Sequence, residues 1–237
     1  MTGPPRDAAP AARRLARVPA ALDARRFAAV RALLFALACV PLARLFYLAA
    51  TDALGANPVE FVIRSLGTWA LVLLCATLTI TPLRWLTHWA WLARLRRMLG
   101  LFCFAYATLH VFAYVGLDQW FDGTALGADI LKRPYITAGV AAYLLLLPLA
   151  ATSSHAMVRR LGGRNWQRLH RLVYAVALLV LLHYAWQKAA KNDFATVAVY
   201  ATVISALLGV RLLRWLSPRR LPAPALTATG IRRGTGR

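Results

Sequence analysis

Three histidines, His110, His170 and His183, sit inside long apolar runs, while His88 and His155 fall in or beside short Arg-rich connections. An ionisable side chain in a membrane is costly and faces a bundle interior, a partner or a cofactor. Neutral imidazole adds a specific chemistry. Two rings from neighbouring helices can supply both axial ligands of a haem iron, and hydrocarbon-like walls suit the porphyrin. The chain has no C-x-x-C-H motif, so any haem would be held by coordination and packing rather than by thioether bonds. His110 and His183 are therefore candidate ligands of a b-type haem.

The elements that carry them must bring them to one depth. Apolar runs at about 29–50, 60–81, 99–117, 135–152, 169–187 and 194–214 are each long enough to cross a bilayer. Backbone groups in lipid must be satisfied within their own segment, so the runs are helices, and Pro41 and Pro148 imply kinks. The third and fifth spans enter from the same side. His110 then lies about 11 residues in, roughly 16 Å along the axis, and His183 about 14 residues in, roughly 21 Å along. His170 lies roughly 20 Å closer to the cytoplasm, where a second redox site would complete a path across the membrane. Its partner is not evident. The residue 13 before His110 is Arg97, a cation that is not expected to ligate iron, and an ideal helix would point His170 and His183 about 140° apart.

Each of these histidines can instead hydrogen-bond a neighbouring helix, which is the plainer use of such a residue in a membrane. Arg44 and Arg64, near the outer ends of the first two spans, either snorkel to the interface or neutralise haem propionates, and snorkelling is the preferred reading. Trp69, Trp85, Trp89, Trp91, Trp120 and Trp186 read mostly as interfacial belts. Lys132-Arg133-Pro134-Tyr135 reads first as an interfacial turn and second as a docking surface for a periplasmic partner.

Composition agrees with a membrane protein. The 237 residues are 60% hydrophobic and only 16% charged, where soluble domains sit nearer 45–50% apolar. The expected fold is all-α, a six-helix transmembrane bundle. Cys39, Cys75 and Cys103 each lie within an apolar run and form no C-x-x-C pair, which argues against a disulfide framework. The net charge of +21 could suggest nucleic acid, but the arginines cluster in the connections between spans, so no nucleic-acid partner is expected. Those clusters set direction. The N-terminal segment, the second and fourth loops and the C-terminal end hold 23 Lys and Arg residues, against Lys132, Arg133, Lys188 and Lys191 on the opposite side. Both termini are then cytoplasmic. Residues 1–28 read as a disordered basic tail and not a cleaved signal, 29–214 as the transmembrane domain, and 215–237 as a second disordered tail.

Several stretches together resemble a known family. They are Arg96-Arg97-Met98-Leu99-Gly100-Leu101 running on to Tyr106 and His110, the Lys132-Arg133-Pro134-Tyr135 loop, and Leu149-Ala150-Ala151-Thr152-Ser153. Leu161-Gly162, Trp166, Leu169-His170-Arg171 and His183 follow. The chain resembles the MsrQ family, haem-binding membrane subunits of bacterial periplasmic methionine-sulfoxide reductase systems, within the ferric-reductase-like transmembrane group. The resemblance implies a multi-pass protein of the bacterial inner membrane and an electron conduit. A cytoplasmic flavin reductase would be the donor, FMN and one or two b-type haems the carriers, and a periplasmic molybdenum-containing methionine-sulfoxide reductase subunit the acceptor. The family's histidines match His110, His170 and His183, while no phosphate-cradling glycine loop locates an FMN site. The chain is then an electron-transfer subunit and not the catalytic one. Two other classes stand beside this reading: a stand-alone ferric or quinone-linked transmembrane cytochrome, and a non-redox transporter or scaffold.

Overall fold

A computed structural model describes residues 22–189 and 192–217. All its regular elements among these residues are helical: α1 (Ala24–Ala50), α2 (Pro58–Thr87), α3 (Leu92–Ala113), α4 (Gly123–Lys132), α5 (Pro134–Ala151), α6 (His155–Leu161), α7 (Gly163–His170), α8 (Leu172–Ala189) and α9 (Ala195–Leu216). A π-helical turn, Tyr114–Asp118, extends α3. Six stretches are long and apolar enough to cross a membrane: α1, α2, α3 with its π turn, α5, α7 with α8, and α9. The all-α, six-span architecture expected from the apolar runs is the one observed. Most of the two expected tails, including Arg6, Arg13, Arg14, Arg17, Arg219 and Arg220, lies outside the described residues, as does Lys191.

Local chemistry explains where the helices begin. Asn57 caps α2, its side-chain oxygen accepting from the Glu60 N–H at 3.1 Å while its amide donates to the Glu60 carboxylate, with Pro58 in the first turn. The Asp122 carboxylate accepts from the N–H groups of Thr124 and Ala125 and starts α4. Ser154 does the same for α6 through the Met157 N–H. α1 begins at Ala24, five residues before the apolar run suggests, because its first turn has its own anchor. Phe27 meets Trp91 edge-on at 6.3 Å, and the Arg94 guanidinium lies 3.7 Å over the Phe27 ring.

The helices pack chiefly as two pairs, α2 against α3 and α5 against α8. The pairs meet where Phe104 of α3 stacks on Tyr143 of α5 at 6.0 Å, and the Tyr143 hydroxyl donates to Thr108 at 3.2 Å. A buried side chain of α3 also reaches into α1. The Tyr106 hydroxyl donates to the Ala38 carbonyl at 2.7 Å and accepts from the Leu42 N–H at 3.1 Å, entering the α1 hydrogen-bond ladder beside Pro41. Proline removes one N–H from that ladder, and an inserted side chain re-satisfies the groups it loosens. α9 is fastened to α2 by Arg211, whose guanidinium donates to the Leu207 carbonyl on its own helix and to the Leu78 carbonyl across the interface.

Candidate haem-ligand site

His110 projects from α3 and His183 from α8, one from each helix pair. The structure brings them together, with ring centres 6.2 Å apart and ring planes 81° to one another. Each ring is held by a backbone carbonyl. His110 Nδ1 lies 2.8 Å from the Ile63 oxygen of α2, and His183 Nδ1 lies 2.6 Å from the Tyr135 oxygen of α5. A carbonyl only accepts, so both Nδ1 atoms carry the proton and both Nε2 atoms keep a lone pair. Neither Nε2 has a hydrogen bond among the described residues, and neither is sealed off by packing.

This donor set fits a haem better than a bare ion. A metal–imidazole bond is about 2 Å, and ring centre to nitrogen adds about 1 Å on each side, so two imidazoles on one metal sit about 6 Å apart centre to centre. No group of three or more His, Cys, Asp or Glu gathers among the described residues, whereas a protein-only metal site normally needs that many. A porphyrin brings its own four nitrogens and needs only the axial pair.

Two glycines permit the close approach. A Cβ placed on Gly67 of α2 would lie 3.0 Å from His110 Nδ1, and one on Gly139 of α5 would lie 2.8 Å from His183 Nδ1. The sequence alone did not single out either residue. An isolated glycine within a membrane helix, four residues after Tyr135, was the available signal.

His170 stands apart from this pair, at the end of α7. Its Nε2 lies 3.1 Å from the Thr152 hydroxyl, which itself donates to the Pro148 carbonyl at 2.6 Å. With its one hydrogen committed, the hydroxyl accepts, so His170 carries its proton on Nε2. Trp166 stacks on the ring at 4.0 Å and donates through its indole N–H to the Thr152 carbonyl. One turn residue, Arg171, separates α7 from α8 on the stretch that carries both His170 and His183.

The Lys132-Arg133-Pro134-Tyr135 segment reaches the histidines. Arg133 pairs with Asp129 at 3.1 Å, and Asp129 accepts from the Tyr114 hydroxyl at 2.8 Å, one turn beyond His110. Contact with the Tyr135 hydroxyl, and then with Asp129, holds the Arg133 guanidinium above the usual arginine range. Arg64 is paired with Glu60 at 2.5 Å, and Arg44 is exposed.

Residues 66–181 match the family model for the ferric reductase like transmembrane component, a stretch that includes Gly67, His110, Gly139 and His170 and stops two residues short of His183. A membrane helix bundle of that class is what the fold and the paired imidazoles describe. Curated relatives narrow the class. The protein-methionine-sulfoxide reductase heme-binding subunit MsrQ of Ralstonia nicotianae is 56% identical over 195 residues, covering 82% of this chain and 90% of the relative. The proteins of that name from Herminiimonas arsenicoxydans and Rhodospirillum rubrum are 50% and 52% identical, covering 84% and 70% of this chain and 91% and 79% of the relatives. The chain belongs to the MsrQ family. It is a multi-pass membrane protein, and with these bacterial relatives its membrane is the bacterial inner membrane.

Proposed function

We propose that this chain is a transmembrane electron-transfer subunit that binds b-type haem between His110 and His183 and delivers electrons to a periplasmic methionine-sulfoxide reductase catalytic subunit. The observation that carries the reading is the 6.2 Å separation of two imidazoles whose Nδ1 atoms are both tied back to carbonyls. The relatives' printed names, heme-binding subunits of a protein-methionine-sulfoxide reductase, supply the acceptor. When bound, the haem contributes a one-electron couple.

The chain's own residues do the rest. His110 and His183 present neutral Nε2 atoms from two different helix pairs, and the Ile63 and Tyr135 carbonyls raise the basicity of both rings through their Nδ1 protons. Arg133, Asp129 and Tyr114 connect that site to the α4–α5 turn, which is the side on which a periplasmic acceptor would dock. His170, stacked on Trp166, is the cytoplasmic-side contact for a second carrier, either a second haem or FMN. A flat aromatic platform suits both. A cytoplasmic flavin reductase supplies the electrons, and the catalytic subunit carries the molybdenum. This assignment follows the family resemblance and requires cytoplasmic termini.

The test is the absorption spectrum of the purified protein. We expect a red protein whose Soret band His110→Ala and His183→Ala each lower by the haem held between them, and oxidation of the reduced protein when the periplasmic subunit and a methionine sulfoxide are added. Unchanged haem content in both variants would defeat the ligand assignment.

A further inference from the structure

The two histidines are held by the same device twice. On α2 the Ile63 carbonyl binds the His110 Nδ1–H, and four residues on, Gly67 faces the same ring. On α5 the Tyr135 carbonyl binds the His183 Nδ1–H, and four residues on, Gly139 faces that ring. The two arrangements lie in different helix pairs and share no residue, yet they have one register. A glycine that served only helix packing would have a neighbouring backbone or an apolar side chain at its missing Cβ position. Here the three nearest atoms at Gly67 all belong to the His110 ring, and the three nearest at Gly139 all belong to the His183 ring.

We propose that Gly67 and Gly139 are positioning residues for the two imidazoles. Without a Cβ, each ring lies close enough to the helix for its Nδ1–H to reach the carbonyl one turn back. That contact puts the proton on Nδ1 and leaves Nε2 for the ligand. The same contact fixes the rotation of each ring about its own axis, and hence the 81° angle between the planes. A methyl group at 3.0 Å or 2.8 Å from Nδ1 crowds the same nitrogen that the carbonyl holds, so the ring must turn or retreat from that hydrogen bond. The inference rests on His110 and His183 being the ligands, and it adds what sets their angle.

The experiment compares the full-length haem-loaded protein with Gly67→Ala, Gly139→Ala and Gly100→Ala. Gly100 is the matched control on α3, because a Cβ there meets only Thr77 Cγ2 at an ordinary 3.7 Å. The readouts are the ferric electron paramagnetic resonance spectrum, the midpoint potential and the rate of haem loss to an acceptor globin. Near-perpendicular imidazole planes leave the iron dπ orbitals nearly degenerate, so the wild type should give a widely spread low-spin signal.

In Gly67→Ala and Gly139→Ala that signal should narrow or pass partly to high spin. The potential should shift, and haem should be lost about 10–100-fold faster, the usual cost of disturbing groups behind a ligand. Gly100→Ala should match the wild type. Wild-type spectra and potentials in both alanine variants would overturn the proposal. So would a wild-type signal typical of parallel planes, which needs no variant to accumulate. A wild type without haem, or one that keeps it after His110→Ala and His183→Ala, would instead remove the ligand assignment on which this rests.

Discussion

At the scale of single residues, the three membrane histidines separate by which ring nitrogen is engaged. His110 and His183 spend Nδ1 on carbonyls, while His170 spends Nε2 on Thr152. Valine has nearly the shape of threonine, so Thr152→Val removes the acceptor with little change in volume. The part-buried His170 Nε2–H then loses its protein partner, and stability should fall by about 0.5–1.5 kcal/mol. Thermal unfolding in detergent, followed by circular dichroism, measures it, and an unchanged midpoint would show that the contact contributes nothing. His170→Ala should lower the haem-to-protein or flavin-to-protein ratio and leave the His110–His183 low-spin spectrum in place. Retention of every carrier would remove His170 from the electron path. The identity of all three residues was readable from residue type and apolar surroundings, and so was the near-equal depth of His110 and His183. Their tautomers were not, because the carbonyls that set them lie 47 and 48 residues away in the chain.

Among the elements, α1 combines aromatic packing through Phe27 and Phe35 with one hydrogen-bonded bridge from α3. The Tyr106 hydroxyl bridges Ala38 and Leu42 where Pro41 has already cost the helix a hydrogen bond. Tyr106→Phe keeps the ring and removes only the bridge. We expect about 1–3 kcal/mol of destabilisation, with faster amide exchange confined to α1 around residues 38–42. Exchange at wild-type rates there would mean that the helix ladder closes by itself. The six long spans were legible because about 20 apolar residues leave few alternatives to a helix in lipid. The short helices α4, α6 and α7 were not, since a search for apolar length passes over segments of ten residues or fewer. Their signals were local ones: Asp122 and Ser154 as caps, and Gly162 with φ +74° between α6 and α7. The single turn residue Arg171 between α7 and α8 had no comparable sign in the sequence.

For the molecule as a whole, orientation is the expectation that charge carries. Among the described residues, every Asp and Glu except Asp23 belongs to the ends joining α1 to α2, α3 to α5 and α8 to α9, while the arginine clusters occupy the opposite ends. A fluorescent protein fused after Arg237 should glow and alkaline phosphatase fused there should be inactive, as for a cytoplasmic terminus. An active phosphatase would reverse the direction of electron flow proposed above.

Because His110 belongs to the α2–α3 pair and His183 to the α5–α8 pair, a ligand gripped by both rings adds a clasp between two halves that otherwise meet at α3 against α5 and through α9. Occupancy and assembly are then linked. At a free porphyrin concentration about 100 times the dissociation constant, the closed form gains about 2.7 kcal/mol over the open one. On the proposed ligand assignment, the protein stripped of its prosthetic group should therefore unfold at a lower temperature than the loaded one.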